Sequence, residues 1–200
     1  MELHPKELVN DLITLLNPKT TEKFFRNVRI KPVDEMLTYL LFFGLFTFFG
    51  YFLRHLLFVD KVPPFTAFSI ALPYYLIGIV PSGVFSIFVM SYTLYLFGEK
   101  IVKRTVSREE ALTVIGYSSI PELIGGFFMI ISETHVLYLL LTMYSVLLLY
   151  IGIKSRFGFR FSVRCFAFVL ISGFIFSMIL FRIVLAIFTA LNIPSAYYGL

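Results

Sequence analysis

The sequence predicts an all-α fold: a polytopic membrane bundle of five transmembrane helices, with a cytoplasmic N-terminus and an outside C-terminus. Three observations carry that prediction. The chain has 200 residues and is 58% hydrophobic. Its apolar residues gather into five long stretches. Its basic residues fall almost entirely on one side of those stretches. A hydrocarbon core of roughly 30 Å needs about 20 apolar helical residues to cross it, and each stretch is long enough.

Residues 1–35 form a polar, cytoplasmic N-terminal segment with an amphipathic start. Leu8, Val9, Leu12, Ile13, Leu15 and Leu16 recur at helical spacing and make one apolar face. Asn17-Pro18 ends that helix, because proline cannot continue the hydrogen-bond ladder. Thr20 or Thr21 can cap a second short helix that carries Phe24 and Phe25. Lys19, Lys23, Arg26 and Arg29 surround those rings. The pair can lie on the anionic inner leaflet or pack against the bundle's cytoplasmic ends.

The bundle itself is expected over 36–190. The first span, 36–57, opens on an uncharged run from Met36 to Leu53. The second uncharged run, Val62 to Gly98, exceeds one simple span. It reads as a helix over 76–98 preceded by Pro63 to Tyr75 at the outer interface, where Pro63, Pro64 and Pro73 forbid a regular crossing. The third span, 111–132, is interrupted only by Glu122. The fourth covers 136–153. The fifth covers 165–189 and contains Arg182. Residues 191–200 form a short tail outside.

Orientation follows from the cations. Lys6, Lys19, Lys23, Arg26, Arg29 and Lys31 precede the first span. Lys100, Lys103, Arg104 and Arg108 follow the second. Lys154, Arg156, Arg160 and Arg164 follow the fourth. The alternate loops hold only Arg54 and Lys61. Fourteen against two puts the first group in the cytoplasm. Splitting the second run at Pro81-Ser82-Gly83 makes six spans, but moves Lys100 to Arg108 outside, against that bias.

Composition excludes several classes. The net charge of +5 belongs to span flanks, which anionic lipid and topology require, so no nucleic-acid partner is implied. The single cysteine, Cys165, excludes an intramolecular disulfide; palmitoylation at the inner end of the fifth span is a remote alternative. No signal peptide precedes the first span, which is expected to serve as the insertion signal. His4, His55 and His135 are dispersed, and no metal-ligand spacing, glycine-rich phosphate loop, nucleophile elbow or paired acid array occurs. No enzyme activity, metal or cofactor is expected. Tyr39, Tyr92, Tyr95, Tyr150, Tyr197 and Tyr198 fall near span ends as interfacial anchors. Tyr117 lies deeper, so its hydroxyl needs a partner within the bundle.

Glu122 is the sharpest candidate residue. It sits midway along the third span beside Pro121, which frees the Tyr117 carbonyl and predicts a kink. An ionised carboxylate there is costly, so it is either a proton or cation site, a gate, or a neutral group satisfied by a hydroxyl such as Ser118 or Tyr117. Arg182 is the natural counter-charge. Counting rises along the two spans sets the depths of Glu122 and Arg182 roughly 9 Å apart, so the arginine either bridges part of that or snorkels outward. Gly44, Gly50, Gly125, Gly126, Gly173 and Ser177 read as close-packing positions, compatible with a bundle or a homo-oligomer.

The third span, Ala111-Leu112-Thr113-Val114-Ile115-Gly116-Tyr117-Ser118-Ser119-Ile120-Pro121, resembles the Yip1 family's helix, with its Gly116-Tyr117 followed by Pro121. Asn17-Pro18-Lys19-Thr20-Thr21-Glu22-Lys23-Phe24-Phe25 is similar to the family's short segment before its first span. The resemblance runs from about Asn17 to Ala190. It implies a multi-pass membrane protein without known catalytic activity, whose eukaryotic relatives act in vesicle traffic. The long acidic cytosolic region of those relatives is missing, as in a prokaryotic-type member. Two functions stand as expectations. One is a cell-membrane scaffold working through helix packing, inner-leaflet lipid and unidentified protein partners. The other is a small transporter or channel using Glu122, Tyr117 and Arg182; the absence of an internal repeat weighs against it.

Overall fold

The computed structural model describes residues 5–57, 80–101, 105–130 and 134–190, and these are all helical or in short turns. The chain forms α1 (Pro5–Leu16), α2 (Thr21–Asn27), α3 (Val33–Leu57), α4 (Val80–Leu96), α5 (Arg108–Gly125), α6 (His135–Phe157) and α7 (Phe159–Ala190). A π-helical turn, Phe97–Ile101, extends α4, and a 3₁₀ turn, Gly126–Ile130, extends α5.

Among the described residues, four helices are long and apolar enough to cross a membrane: Val33–Arg54, Arg108–Phe128, His135–Phe157 and Val163–Val184. Gly83–Glu99 is apolar but shorter. The expected interfacial element at 63–75, the first residues of the 76–98 span, and the tail 191–200 lie outside the described residues. The described part of the helix in the second run covers Val80–Leu96 and includes Pro81.

α5 is the central helix. It packs against α3, α4 and α6, while α7 packs on α4 and α6. Of its apolar window 67% is buried, against 18% for the window in α7. The reason lies in its side chains: α5 is the least apolar of the spanning helices, so its polar groups turn inward while the all-round apolar α7 faces outward. Ser107 starts α5 by accepting a hydrogen bond from the Glu110 N–H (3.0 Å). Glu109 and Glu110 in the first turn suit the positive end of the helix dipole.

The helices outrun the apolar stretches at the basic end. The predicted loop 154–164 does not exist: α6 continues to Phe157 and α7 begins at Phe159. Gly158 alone turns the chain, at φ 99°, a conformation that side chains other than glycine's resist. An apolar run measures the hydrocarbon crossing, whereas lysine and arginine are good helix formers and continue the helix into water.

Thr20 precedes α2, but neither it nor Thr21 caps that helix. Their hydroxyls turn back instead. Thr20 donates to the Thr14 carbonyl (2.8 Å) and Thr21 to those of Leu15 (3.0 Å) and Asn17 (2.8 Å). They satisfy carbonyls that the end of α1 leaves unpaired, so α1 and α2 form one stapled hairpin.

Tyr39 is not an interfacial anchor. It is 3% exposed and packs in the core. Cys165 is also fully buried, which removes it from the reach of an acylating enzyme.

Candidate functional site

Two features converge on α5. The first is the docking of the N-terminal hairpin. The Tyr117 hydroxyl donates to Asp11 Oδ2 at 2.5 Å. A partner of that hydroxyl is therefore a carboxylate on α1. Tyr117 lies nine residues beyond Arg108, so α1 reaches about 13 Å along the spanning helix from its basic end. At that depth Asp11 needs a partner, and a phenol supplies a charge-assisted bond.

Aromatic contacts complete the joint. Phe24 meets Tyr117 edge-on at 5.1 Å, and Tyr39 does so at 6.1 Å. Phe25 is fully buried. Tyr144 on α6 donates to the Leu15 carbonyl (3.1 Å). The Asn17-Pro18 turn and the Gly116-Tyr117-Pro121 helix, far apart in sequence, thus meet through Phe24. Gly116 faces Met36 of α3 so closely that a Cβ there would overlap the methionine's end.

Charged groups that sequence reasoning treated only as topology markers hold the same end together. Arg156 Nε donates to Glu110 Oε1 (2.6 Å), and its Nη1 to the Arg26 carbonyl (2.9 Å). One guanidinium therefore ties α6, α5 and the hairpin. Lys31 is 1% exposed. Its backbone N–H donates to Thr113 Oγ1 (3.0 Å), its ammonium pairs with Glu35 and lies over the Tyr39 ring (4.4 Å). Burial alone would lower its pKa; Glu35 and Tyr39 more than offset this, and the net shift is upward. A lysine four residues before a glutamate is the one sequence signal that could have found this pair.

The second feature surrounds Glu122. Pro121 is buried inside α5, and the Glu122 N–H donates sideways to Ser145 Oγ on α6 (2.9 Å). The side chain of Glu122 is exposed to a cavity of about 600 Å³ between α3, α4, α5, α6 and α7. Ser118, Ser119, Tyr138, Thr142 and Ser145 contribute polar atoms to the wall. The hydroxyls expected to satisfy Glu122 are engaged elsewhere. Ser118 donates to the Val114 carbonyl (2.8 Å), and Tyr117 serves Asp11. Ser119 and Thr142 likewise bond carbonyls of their own helices. Among the described residues, the Glu122 carboxylate has no ion pair and no side-chain hydrogen bond. Arg182 is exposed on α7 and does not line the cavity. The structure thus places Glu122 at the cavity, keeps Pro121 buried in α5 beside it, and sends Tyr117 to the hairpin and Arg182 outward. Among the described residues, no cluster of His, Cys, Asp and Glu is suited to a metal ion.

No curated protein and no solved structure matches the chain significantly. The family model of the Yip1 domain does match, over residues 13–195. That span takes in both the stapled hairpin turn and the Gly116-Tyr117-Pro121 helix, and the chain, a multi-pass membrane protein by its apolar helices, belongs to the Yip1 domain family.

Proposed function

We propose that this Yip1-family chain is a five-span protein of the cell membrane that organises lipid and protein partners at its cytoplasmic face, without catalytic activity. In this topology α4 belongs to the second of the five spans, the N-terminus and basic end are cytoplasmic, and residues 191–200 lie outside. The sorting of cations supports the orientation.

One observation carries the functional reading. The hairpin is latched by Leu15, Phe24, Phe25 and the Tyr117–Asp11 bond, yet Val9, Ile13 and Leu16 on α1 stay 49%, 62% and 41% exposed. An amphipathic helix held in place by one face presents the other to whatever adjoins the bundle. Lys19, Lys23, Arg26 and Arg29 beside it are exposed, and suit the anionic inner leaflet.

The test labels an Ile13→Cys variant with an environment-sensitive dye; native Cys165 is buried and stays unlabelled. In vesicles containing phosphatidylglycerol the emission is expected to shift to the blue, and Lys19→Glu/Lys23→Glu is expected to reverse the shift. Water-like emission in every lipid composition defeats the reading.

The Glu122 cavity favours a second reading, a small transporter or channel. Ion or proton flux in the same vesicles that vanishes in Glu122→Gln supports it. Flux no greater than in empty vesicles leaves the scaffold.

A further inference from the structure

We infer that the Glu122 cavity binds a hydrophobic amine, a single ammonium group carried on an apolar chain. The inference concerns binding inside the bundle and stands whether or not the protein transports anything or engages partners through α1.

Size comes first. A cavity of about 600 Å³ lies within the range of small-molecule sites, roughly 300–1,000 Å³. Such sites combine a mostly apolar wall with a few convergent polar groups. Here Val146, Leu149, Leu170, Phe174 and Met178 supply apolar wall, and the lining includes hydroxyls and one carboxylate, Glu122.

Charge comes next. Glu122 faces this space with no ion pair or side-chain hydrogen bond among the described residues. A carboxylate in an apolar span is costly unless paired. Ser118, Ser119 and Thr142 have given their protons to carbonyls, but each oxygen still has a lone pair to offer. Beside the Glu122 carboxylate, these three oxygens are left as acceptors. That is the complement of an ammonium group, which carries three donors and no acceptor. An anionic ligand would meet the Glu122 carboxylate with no cation on the wall among the described residues.

The same inventory narrows the ligand. No Lys, Arg or His lines the cavity among the described residues. The phosphate of a zwitterionic phospholipid would find no counter-charge, whereas a lone ammonium finds its own in Glu122. Phe174 and Tyr138 are both on the wall, and aromatic rings are groups that cations favour.

Gly83 gives an independent handle. It lines the cavity, and nothing lies within 4 Å of where its Cβ would stand. A Cβ added there meets no neighbour, so a side chain can be introduced at the cavity's border without a clash at its first atom.

The test measures thermal stabilisation of the full-length protein in maltoside micelles. The probes are octylammonium below its micellar concentration, octanoate, octanol and phosphatidylethanolamine. Octylammonium is expected to raise the melting temperature saturably, and octanoate is expected not to. Glu122→Gln should weaken apparent octylammonium affinity at least tenfold. Gly83→Leu, which keeps the carboxylate, should weaken it equally and serves as the folded control. Equal stabilisation by octanol, or a response that survives both substitutions, overturns the site. A Glu122-dependent response to phosphatidylethanolamine that octylammonium lacks overturns the ligand class.

Discussion

Tyr117→Phe isolates the bond on which the docking of the hairpin turns. The substitution removes one hydroxyl and leaves the ring, so the edge-on contacts with Phe24 and Tyr39 persist. What is lost is a 2.5 Å hydrogen bond from a fully buried phenol to the Asp11 carboxylate. A hydrogen bond to a charged group contributes about 1.5–3 kcal/mol. That corresponds to a roughly ten- to 150-fold rise in the equilibrium constant for releasing α1. The bundle's remaining packing is untouched, so the change belongs to local opening rather than to global unfolding. Amide hydrogen exchange in micelles reads it directly: α1 amides should exchange faster by that factor, while α6 amides hold their rates. Asp11→Asn keeps the shape and should give a smaller effect. The double variant should fall short of the sum of the singles by about 1 kcal/mol, because the two residues share one interaction. Unchanged α1 exchange in Tyr117→Phe, or strict additivity, refutes the latch.

Two further outcomes follow from close packing and from charge. Gly50→Ala should destabilise by about 1–3 kcal/mol, because the new Cβ would meet the Gly126 carbonyl oxygen at 2.5 Å and backbone cannot step aside; Gly83→Ala, in open space, should be neutral or slightly stabilising through helix propensity, and denaturant titration of both variants tests the contrast. Lys31 has a folded pKa above its ordinary 10.5, so its contribution is full below that ordinary value and is lost as pH rises through the folded one; the wild-type melting temperature should therefore fall more steeply in alkali than that of Lys31→Met, and parallel pH profiles for the two would contradict the assignment.

How far each element was legible depended on what kind of force placed it. The spanning helices follow from run length, because burying apolar side chains in hydrocarbon is additive along the chain. Their ends did not follow: Phe157-Gly158-Phe159 leaves no loop where charges suggested one. Glu122 and Pro121 were visible as a costly charge beside a helix breaker. The roles of Thr20 and Thr21 were misplaced, since a hydroxyl near a helix start can serve either the helix that follows or the one that precedes it.

The sequence alone determined the all-helical membrane class, the family motifs and the suspicion attached to Glu122, because each depends on residue type and local spacing. Only the tertiary structure decided that Asp11 and Tyr117 would meet, that Lys31 would be buried against Glu35 and Tyr39, and that Arg182 would turn away from Glu122. Those outcomes depend on the rotation of each helix about its axis and on which helices are neighbours. Small residues and competing polar bonds set both, and neither is encoded in the order of apolar runs along the chain.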